Sequence, residues 1–336
     1  MRRRDFTVNA IARRLTTGEI VDPFDGVADL RAGVLRTVTS RSFQEDPLRL
    51  VRGLRFVSQL GLEPEDGTLR QMREEAAAVA LVSGERIGGG LGADGMGELS
   101  KLLLGAWPER ALLLARDTGV LVELFPEYAP AVGYDLGTER QPLTLEEHLF
   151  AVVQNAADAG ANLAVRLGAL LHDLGKPEAQ RSRIDHTELG AAIARSTLGR
   201  LRYPTRLQSY VTRLVRAHAF GLDDVDELFA RRFLHAHGAD LARDLVVHKR
   251  ADLGSKNVGP DELVAVDRLG ALVESESDKP YRLADLAIDG GDLIAAGFEP
   301  GPKLGRVLDL LLVEVVERPE GNIRELLLER AAQELT

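Results

Sequence analysis

The stretch EDPLRLVRGLRFVSQLG, residues 45–61, is where this chain changes from short irregular elements to helices. Within it the apolar residues Leu50, Leu54 and Val57 recur at helical spacing. Before it, residues 5–40 alternate short apolar runs with turn residues, which predicts a small β-hairpin. The sequence therefore predicts a mainly α fold that begins with a small β part.

Helical patterns continue along the rest of the chain. They cover residues 99–105, 108–117, 148–159, 163–174, 207–218 and 307–316. Proline and glycine clusters near 126–143, and a polar stretch near 275–282, indicate domain boundaries. Residues 84–97 are half glycine, which predicts a mobile loop between two helices.

Length and composition are those of a globular protein with two or three domains. The chain has 336 residues, 45% of them apolar, and no apolar run long enough to span a bilayer. The arginines at residues 2–4 are not followed by an apolar segment, so we expect no signal peptide. The absence of cysteine excludes disulfides and thiolate chemistry and fits a reducing compartment. We expect a cytoplasmic protein that makes no contact with a membrane.

The charge distribution is uneven. A net charge of −10 argues against a generic nucleic-acid coat, whose affinity would come from neutralising phosphates. Residues 195–216 nevertheless carry six arginines and no acid. The favoured interpretation of this stretch is a solvated helix face, and the alternative is an RNA-binding groove.

Asp46 and Arg49 form a candidate base-reading pair. Three residues apart on a helix, they are expected to share one face. A carboxylate accepts from an exocyclic amino group and a guanidinium donates to ring nitrogen or carbonyl oxygen, a combination that suits cytosine and adenine. The alternative is that Asp46 caps a helix that carries surface arginines.

The stretch RRDFTVNA, residues 3–10, gives this pair a context. With EDPLR at residues 45–49 it resembles two motifs of the class II tRNA nucleotidyltransferases, the CCA-adding enzymes and bacterial poly(A) polymerases. The resemblance implies that Asp46 and Arg49 serve as a protein template for CTP and ATP. It also implies nucleotide-binding roles for Arg4, Asp5 and Asn9 at the ribose, and for Arg52 and Arg55 at phosphates.

The same family places a Gly-Gly-x-Val-Arg-Asp turn and an Asp-x-Asp pair for the catalytic Mg²⁺ before these motifs. Because Met1 stands two residues before RRDFTVNA, we expect the chain to lack the front of the catalytic head. Asp22, Asp25 and Asp29 are expected to belong to a turn and a helix start, and not to replace the metal pair. We therefore expect no nucleotide addition by the chain as given, unless a separate chain supplies the missing head.

A second constellation consists of histidines and aspartates. Its members are His148, His172, Asp173, His186, His218 and Asp252. Imidazole and carboxylate ligands suit Ni, Mn, Co, Fe or Mg ions. Order and spacing resemble the HD-domain phosphohydrolases, which implies His148, His172, Asp173 and Asp252 as metal ligands. The resemblance further places His186 and His218 at a second ion or at the phosphate, and Lys176 beside the phosphate charge as a catalytic residue.

The C-terminal part resembles the tail of HD-containing CCA-adding enzymes, through DGGDL at residues 289–293 and GFEPGPKLG at 297–305. Glycines at a helix start can hold an RNA phosphate through backbone N–H groups, or they form a tight turn between helices. Both interpretations stay open.

The resemblance implies four domains: a remnant of the nucleotidyltransferase palm (1–40), a helical neck that reads bases and binds RNA (41–125), an HD phosphohydrolase domain (143–255) and a tRNA-binding helical tail (282–336). We interpret the chain as a CCA-adding tRNA nucleotidyltransferase that acts on tRNA 3′ ends, with CTP, ATP and tRNA as partners. Two alternatives are a stand-alone HD phosphohydrolase that acts on nucleotides or cyclic phosphates, and a non-catalytic RNA-binding subunit of a split enzyme.

Overall fold

The computed structural model describes residues 1–89 and 95–334. It divides into two compact units. The first unit comprises Met1–Ala219 and Ala251–Val258, and the second comprises Phe220–Arg250 and Gly259–Thr336. The fold is mainly helical, as the sequence predicts. The four predicted domain ranges stay predictions.

The described strands are short and lie near the N-terminus. Antiparallel strands β1 (Ala12–Arg13) and β2 (Ile20–Val21) form the predicted hairpin. Strand β3 (Val34–Leu35) pairs in parallel with β4 (Glu63–Pro64). The aspartate-rich turn after β2 caps a helix, since the carboxylate of Asp22 accepts from the N–H groups of Gly26 and Val27.

The first unit contains most of the helices. They are α1 (Gly26–Ala32), α2 (Ser42–Glu45), α3 (Leu48–Leu60), α4 (Asp66–Glu75), α5 (Glu98–Leu103), α6 (Pro108–Asp117), α7 (Val120–Leu124), α8 (Leu145–Asp158), α9 (Leu163–Leu171), α10 (Lys176–Ser182), α11 (His186–Arg200) and α12 (Thr205–Ala217). Helix α3 buries Leu50, Leu54 and Val57, and it ends at Gly61, whose φ of 66° is left-handed.

The second unit contains α13 (Glu227–His237), α15 (Pro260–Glu276), α16 (Gly290–Ala295), α17 (Pro302–Glu317) and α18 (Arg324–Ala332). Helix α14 (Ala239–Leu253) also starts there, and its residues from Ala251 onward belong to the first unit. At the start of α16 the carboxylate of Asp289 accepts from the N–H groups of Gly291 and Asp292. These donors are therefore engaged within the protein, which favours the tight turn over a phosphate site.

The prediction of a mobile loop over residues 84–97 is wrong for its first part. Residues Glu85–Gly89 form a π-helical turn, and the N–H of Gly89 donates to the carbonyl of Leu201 at 3.1 Å. Sequence pattern misses this turn because it is held by distant residues and not by local hydrophobic spacing. Residues 90–94 of the predicted loop lie outside the described residues.

The arginine-rich stretch lies on α11, α12 and the turn between them. All six arginines of residues 195–216 are exposed. Arg200 pairs with Glu127, and Arg216 pairs with Glu188. The exposure agrees with the solvated face that the sequence favoured, and the RNA-binding alternative stays untested.

Candidate functional site

Four helices bring the predicted metal ligands together in the first unit. His148 lies on α8, His172 and Asp173 directly follow α9, His218 caps the end of α12, and Asp252 lies in the last turn of α14. All five side chains are buried, none more than 5% exposed. They form two overlapping groups with ligand atoms close enough to share an ion: His148, His172 and Asp252, and His172, Asp173 and His218.

The ring nitrogens Nε2 face the carboxylates. The distance is 3.2 Å from His148 to Asp252, 3.3 Å from His172 to Asp173, and 3.4 Å from His218 to Asp173. His186 lies at the more open side of this centre, with its side chain 30% exposed and Nε2 3.7 Å from Asp173. The structure thus brings all six predicted ligand residues to one place.

Hydrogen bonds at Nδ1, the ring nitrogen that faces away from the carboxylates, fix the ring orientation of His172 and His218. Nδ1 of His172 lies 3.0 Å from the carbonyl oxygen of Ala169, and Nδ1 of His218 lies 2.6 Å from that of Val215. A carbonyl oxygen only accepts, so each Nδ1 carries the proton. The Nε2 atoms are thereby aimed at the carboxylates, as in metal-ligating histidines.

The third histidine is fixed by a residue that the sequence analysis missed. The hydroxyl of Ser255 lies 2.9 Å from Nδ1 of His148 and donates to the carbonyl of Asp252 at 2.8 Å. Because its proton points to that carbonyl, the hydroxyl accepts from Nδ1–H of His148. A serine three residues after Asp252 has no spacing signature that would have identified it.

Two lysines balance the carboxylates. Nζ of Lys176 lies 2.5 Å from Asp173, and Nζ of Lys256 lies 2.7 Å from Asp252. Lys176 was predicted to lie beside a substrate phosphate, and here it pairs with a ligand carboxylate. Lys256 was missed: it lies beyond α14, which ends at Leu253, and its spacing of four residues from Asp252 is the one signal in the sequence.

The buried charges shift the pKa values of the centre. Burial by itself lowers the pKa of His172, but the charges of Asp173 and Asp252 outweigh it and raise this pKa to about 9. Burial raises the pKa of Asp173, but the positive charge of His172 and hydrogen bonds from the histidines hold it well below its usual range. The carboxylates are therefore ionised, and a cation that binds beside them would displace the proton from Nε2 of His172.

The donor set fits a divalent ion. Lysines contact one oxygen of Asp173 and Oδ1 of Asp252, whereas Nε2 of His148 and Oδ1 of Asp173 are buried and lack a well-formed hydrogen bond among the described residues. Unsatisfied buried polar atoms are costly, and a shared cation would satisfy them together. Neutral imidazole and carboxylate suit ions from Mg²⁺ to the first-row transition metals, and thiolates are absent from the sequence.

The predicted ribose-binding residues lie in the N-terminal part of the first unit. Asp5 is buried and accepts from Asn9 and from Arg52, both at 2.5 Å. Burial raises the pKa of Asp5, but the hydrogen bonds from Arg52 and Asn9 and the charge of Arg52 bring it below its usual value. Arg4 is exposed beside this cluster.

Glu98, which the sequence analysis also missed, holds the next two arginines. Its carboxylate pairs with Arg52 and with Arg55, each at 3.1 Å. Arg55 also lies 4.6 Å from the ring centroid of Phe56, a cation–π distance. Glu98 is more than forty positions away from both arginines, so no local pattern identifies it.

The predicted arrangement of Asp46 and Arg49 needs a correction. Asp46 does not lie on the helix that carries Arg49, because α3 begins at Leu48 and Asp46 has an extended backbone with φ −155° and ψ 103°. The physical reason is Pro47, which disfavours helical geometry in the residue before it. One carboxylate oxygen of Asp46 accepts from the N–H of Leu48 at 3.2 Å, and the other pairs with Arg86 at 2.8 Å.

Arg49 is held against the N-terminal segment. Its guanidinium donates to the carbonyl oxygens of Arg3 and Ser42 and pairs with Glu45. The two sequence motifs therefore meet in space, since the carbonyl of Arg3 belongs to the RRDFTVNA stretch.

Four family models match separate segments of the chain. Residues 1–36 match the poly A polymerase head domain and 145–252 match the HD domain. Residues 61–132 match a model described as the probable RNA and SrmB binding site of polymerase A, and 273–331 match tRNA nucleotidyltransferase domain 2.

Curated relatives carry related names. The chain is 32% identical to an A-adding tRNA nucleotidyltransferase of Deinococcus radiodurans, over 93% of this chain and 73% of that protein. It is also 32% identical to a multifunctional CCA protein of Xanthomonas campestris pv. campestris, over 91% of this chain and 74% of that protein. A multifunctional CCA protein of Neisseria gonorrhoeae is 36% identical, and the chain spans 52% of its length.

Solved structures share the fold. The CCA-adding enzyme of Bacillus stearothermophilus in complex with CTP superimposes with a TM-score of 0.70 at 24% identity, over 99% of this chain and 74% of that one. The CCA-adding enzyme of Thermotoga maritima complexed with tRNA gives a TM-score of 0.56 at 19% identity, over 100% and 73% of the two chains.

Fold and site together define an enzyme of the nucleotidyltransferase class with an added HD domain. More particularly, the chain belongs to the tRNA nucleotidyltransferase family that includes the CCA-adding enzymes. None of the described helices is long and apolar enough to cross a membrane.

Proposed function

We propose that this chain processes tRNA 3′ ends with two separate sites. Its HD centre hydrolyses phosphate esters, with 2′,3′-cyclic phosphates at damaged tRNA ends as the favoured substrate. Its N-terminal site reads the bases and riboses of CTP and ATP. The observation that carries the first part is the convergence of five buried ligands, His148, His172, Asp173, His218 and Asp252, with their Nε2 and carboxylate atoms facing one another.

At the HD centre the protein residues hold a cation and an anionic substrate. Asp173 and Asp252 supply negative charge, and the three buried histidines supply aimed nitrogen atoms. A bound divalent ion supplies Lewis acidity toward a phosphoryl oxygen and lowers the pKa of water. The side chains of Lys176 and Lys256 are proposed to turn from the carboxylates to the substrate phosphate, whose negative charge they would balance.

At the N-terminal site Asp46 is proposed to accept from the amino group of cytosine or adenine, and Arg49 to donate to the adjacent ring atoms. Asp5, Asn9 and Arg4 are proposed to hold the ribose. The fixed orientation of Arg49 against the carbonyl of Arg3 supports a shared pocket. Arg52 and Arg55 are proposed to meet phosphates in a nucleotidyl transfer that depends on Mg²⁺.

Hydrolysis is tested with 2′,3′-cAMP and metal-stripped protein to which Ni²⁺, Mn²⁺, Co²⁺ or Mg²⁺ is added. We expect ring opening with at least one of these ions. His172→Ala and Asp173→Asn should lower bound metal and turnover together, since each removes a ligand. The matched control is Arg49→Ala, at the other site, which should hydrolyse as the unchanged chain does. No bound metal and no hydrolysis with any ion would contradict the proposal.

A stand-alone phosphohydrolase is the second candidate. The observation in its favour is that all five buried ligands lie within this chain. It predicts hydrolysis together with no preference for CTP or ATP at the N-terminal site. Binding of CTP and ATP that weakens in Asp46→Ala would exclude it.

A further inference from the structure

Arg86 makes a contact that the proposed function does not use. Its guanidinium donates to Oδ2 of Asp46 at 2.8 Å, while Oδ1 of Asp46 accepts from the N–H of Leu48 at 3.2 Å. Both oxygens of the proposed base-reading carboxylate are thus fixed in direction. Each oxygen keeps a further acceptor position, so the orientation is set without blocking a base amino group.

Arg86 itself is held by the π-helical turn Glu85–Gly89, which packs on the backbone between α11 and α12. The N–H of Gly89 donates to the carbonyl of Leu201 at 3.1 Å. The hydroxyl of Ser100 lies 3.2 Å from the carbonyl of Gly88 and 3.0 Å from the hydroxyl of Tyr203. Tyr203 is buried, which raises its pKa and keeps the hydroxyl neutral and available for this bond.

Gly84, just before this turn, and Gly88 and Gly89 within it lie very close to residues 200–203, between α11 and α12. A methyl group at Gly84 would lie 2.2 Å from the carbonyl oxygen of Arg200, and one at Gly89 would lie 2.0 Å from that of Arg202. A methyl group at Gly88 would meet the ring of Tyr203 at 2.6 Å. Backbone cannot yield to such contacts, so these glycines permit the docking and are not there only for flexibility.

We propose that Arg86 is a positioning residue for base selection, and that the α11–α12 turn of the HD region holds it in place. The proposal rests on the base-reading role of Asp46. With Arg86 docked, the Asp46 carboxylate presents a fixed acceptor, which favours the amino-bearing edges of cytosine and adenine over the carbonyl-bearing edges of uracil and guanine. The HD region thereby contributes to nucleotide selection through structure, without taking part in the chemistry at that site.

The experiment titrates the full 336-residue chain with CTP, ATP, UTP and GTP, followed by NMR chemical shifts so that millimolar affinities are measurable. Asp46→Ala should abolish the preference for CTP over UTP, which tests the proposed function. Arg86→Ala should lower that preference by about two- to fivefold, the size expected for a partly exposed ion pair. Arg86→Lys should restore part of it, because a positive donor remains.

The single variants separate the base-reading role of Asp46 from the positioning role of Arg86, and the double variant Asp46→Ala/Arg86→Ala tests whether Arg86 acts through Asp46. If Asp46→Ala changes nothing, the proposed base-reading role fails. If Asp46→Ala removes the preference but Arg86→Ala leaves it intact, the positioning role alone is overturned. Positioning through Asp46 requires Arg86→Ala to have no effect once Asp46 is replaced, so the double variant should bind CTP as tightly as Asp46→Ala does, and a further loss of CTP affinity would contradict it.

The docking of the π-helical turn on the α11–α12 backbone is tested with variants at that contact. Gly89→Ala should reduce the CTP preference as Arg86→Ala does, and Gly305→Ala, where an added methyl meets nothing within 4 Å, is the matched control. Tyr203→Phe removes only the hydroxyl that bonds Ser100 and tests the same contact in a variant that keeps its bulk. If both Gly89→Ala and Tyr203→Phe fold and select as the unchanged chain does, the HD region plays no part in selection.

Discussion

A single hydroxyl fixes the proton of His148 in the HD centre. Ser255 donates to the carbonyl of Asp252 and so accepts from Nδ1–H of His148, which leaves Nε2 for an ion. Outer partners of this kind set the ring orientation and basicity of ligating histidines. We therefore expect Ser255 to influence a bound ion only through His148.

Replacing Ser255 should weaken metal binding. Ser255→Ala is expected to lower the affinity for Mn²⁺ by about 10- to 100-fold, the usual effect of losing a partner that orients a ligand. Ser255→Thr keeps the hydroxyl and should restore most of the affinity. Calorimetric titration of the metal-stripped protein measures both. Ser275→Ala, at an exposed position of α15, is the control, and unchanged affinity in Ser255→Ala would contradict the role.

Asp5 should give the protein an acid-sensitive stability. Its folded pKa is lowered, so its contribution is fully present above the unfolded value near 3.8 and is lost as pH falls through the folded pKa. Asp5→Asn should therefore be less stable at pH 7, by about 1–3 kcal/mol for the lost charged hydrogen bonds. Its disadvantage should shrink below about pH 4.

Urea unfolding at pH 7 and pH 3 measures this difference. Asp117→Asn, at a half-exposed carboxylate paired with Arg116, controls for the loss of a surface charge. A constant gap between Asp5→Asn and the unchanged chain at both pH values would show that Asp5 is not responsible.

At the scale of elements, buried Arg166 on α9 joins helix ends. Its guanidinium donates to the carbonyls of Leu103 at the end of α5, of Gly105 just after it, and of Ala161 before α9. The carbonyl of Leu103 is one that a helix end leaves without an intrahelical partner. The side chain thus connects the end of α5 to α9, the helix that His172 directly follows.

Arg166→Met should destabilise the first unit by about 2–4 kcal/mol, because more than one buried carbonyl loses its donor. Hydrogen exchange should show the effect first at the end of α5. Arg110→Met, at an exposed pair with Glu63, is the matched control and should cost about 0–1 kcal/mol. A loss at Arg166 no larger than the loss at Arg110 would contradict the joining role.

At the scale of the whole molecule, the two proposed sites should work independently of each other. The HD residues meet in one buried centre, whereas the proposed base-reading pair lies beside the RRDFTVNA segment. We therefore expect His172→Ala to bind CTP as the unchanged chain does, and Arg49→Ala to keep the hydrolysis of 2′,3′-cAMP. Titration with CTP and the hydrolysis assay measure the two activities, and a variant that loses both while it stays folded would refute their independence.

In an assay of nucleotide addition to tRNA, with or without a catalytic head supplied in trans, selection should depend on the N-terminal site. Asp46→Ala and Arg49→Ala are each expected to reduce incorporation of C and A by about tenfold or more, since each removes hydrogen bonds to a charged partner. His172→Ala, in the other site, is the control and should not alter incorporation. Unchanged incorporation in both N-terminal variants would favour the helix-cap interpretation of Asp46.

Local sequence pattern predicted several of the helices and the candidate ligand residues. Apolar spacing and the flanking proline predicted residues 108–117, which match α6. The His172-Asp173 pair was placed at the end of an apolar helix, where it lies. Such features follow from helical periodicity and from ligand chemistry, both of which are written in neighbouring residues.

Tertiary structure alone decided which partners fix those residues. Glu98 holds Arg52, Arg86 holds Asp46, and the glycine-rich turn docks on the backbone near Leu201. Each contact joins positions that are far apart in the chain, and no spacing pattern in the sequence relates the two positions. Such pairs form because the packed helices bring them together, and this packing depends on the whole buried core and not on any local stretch.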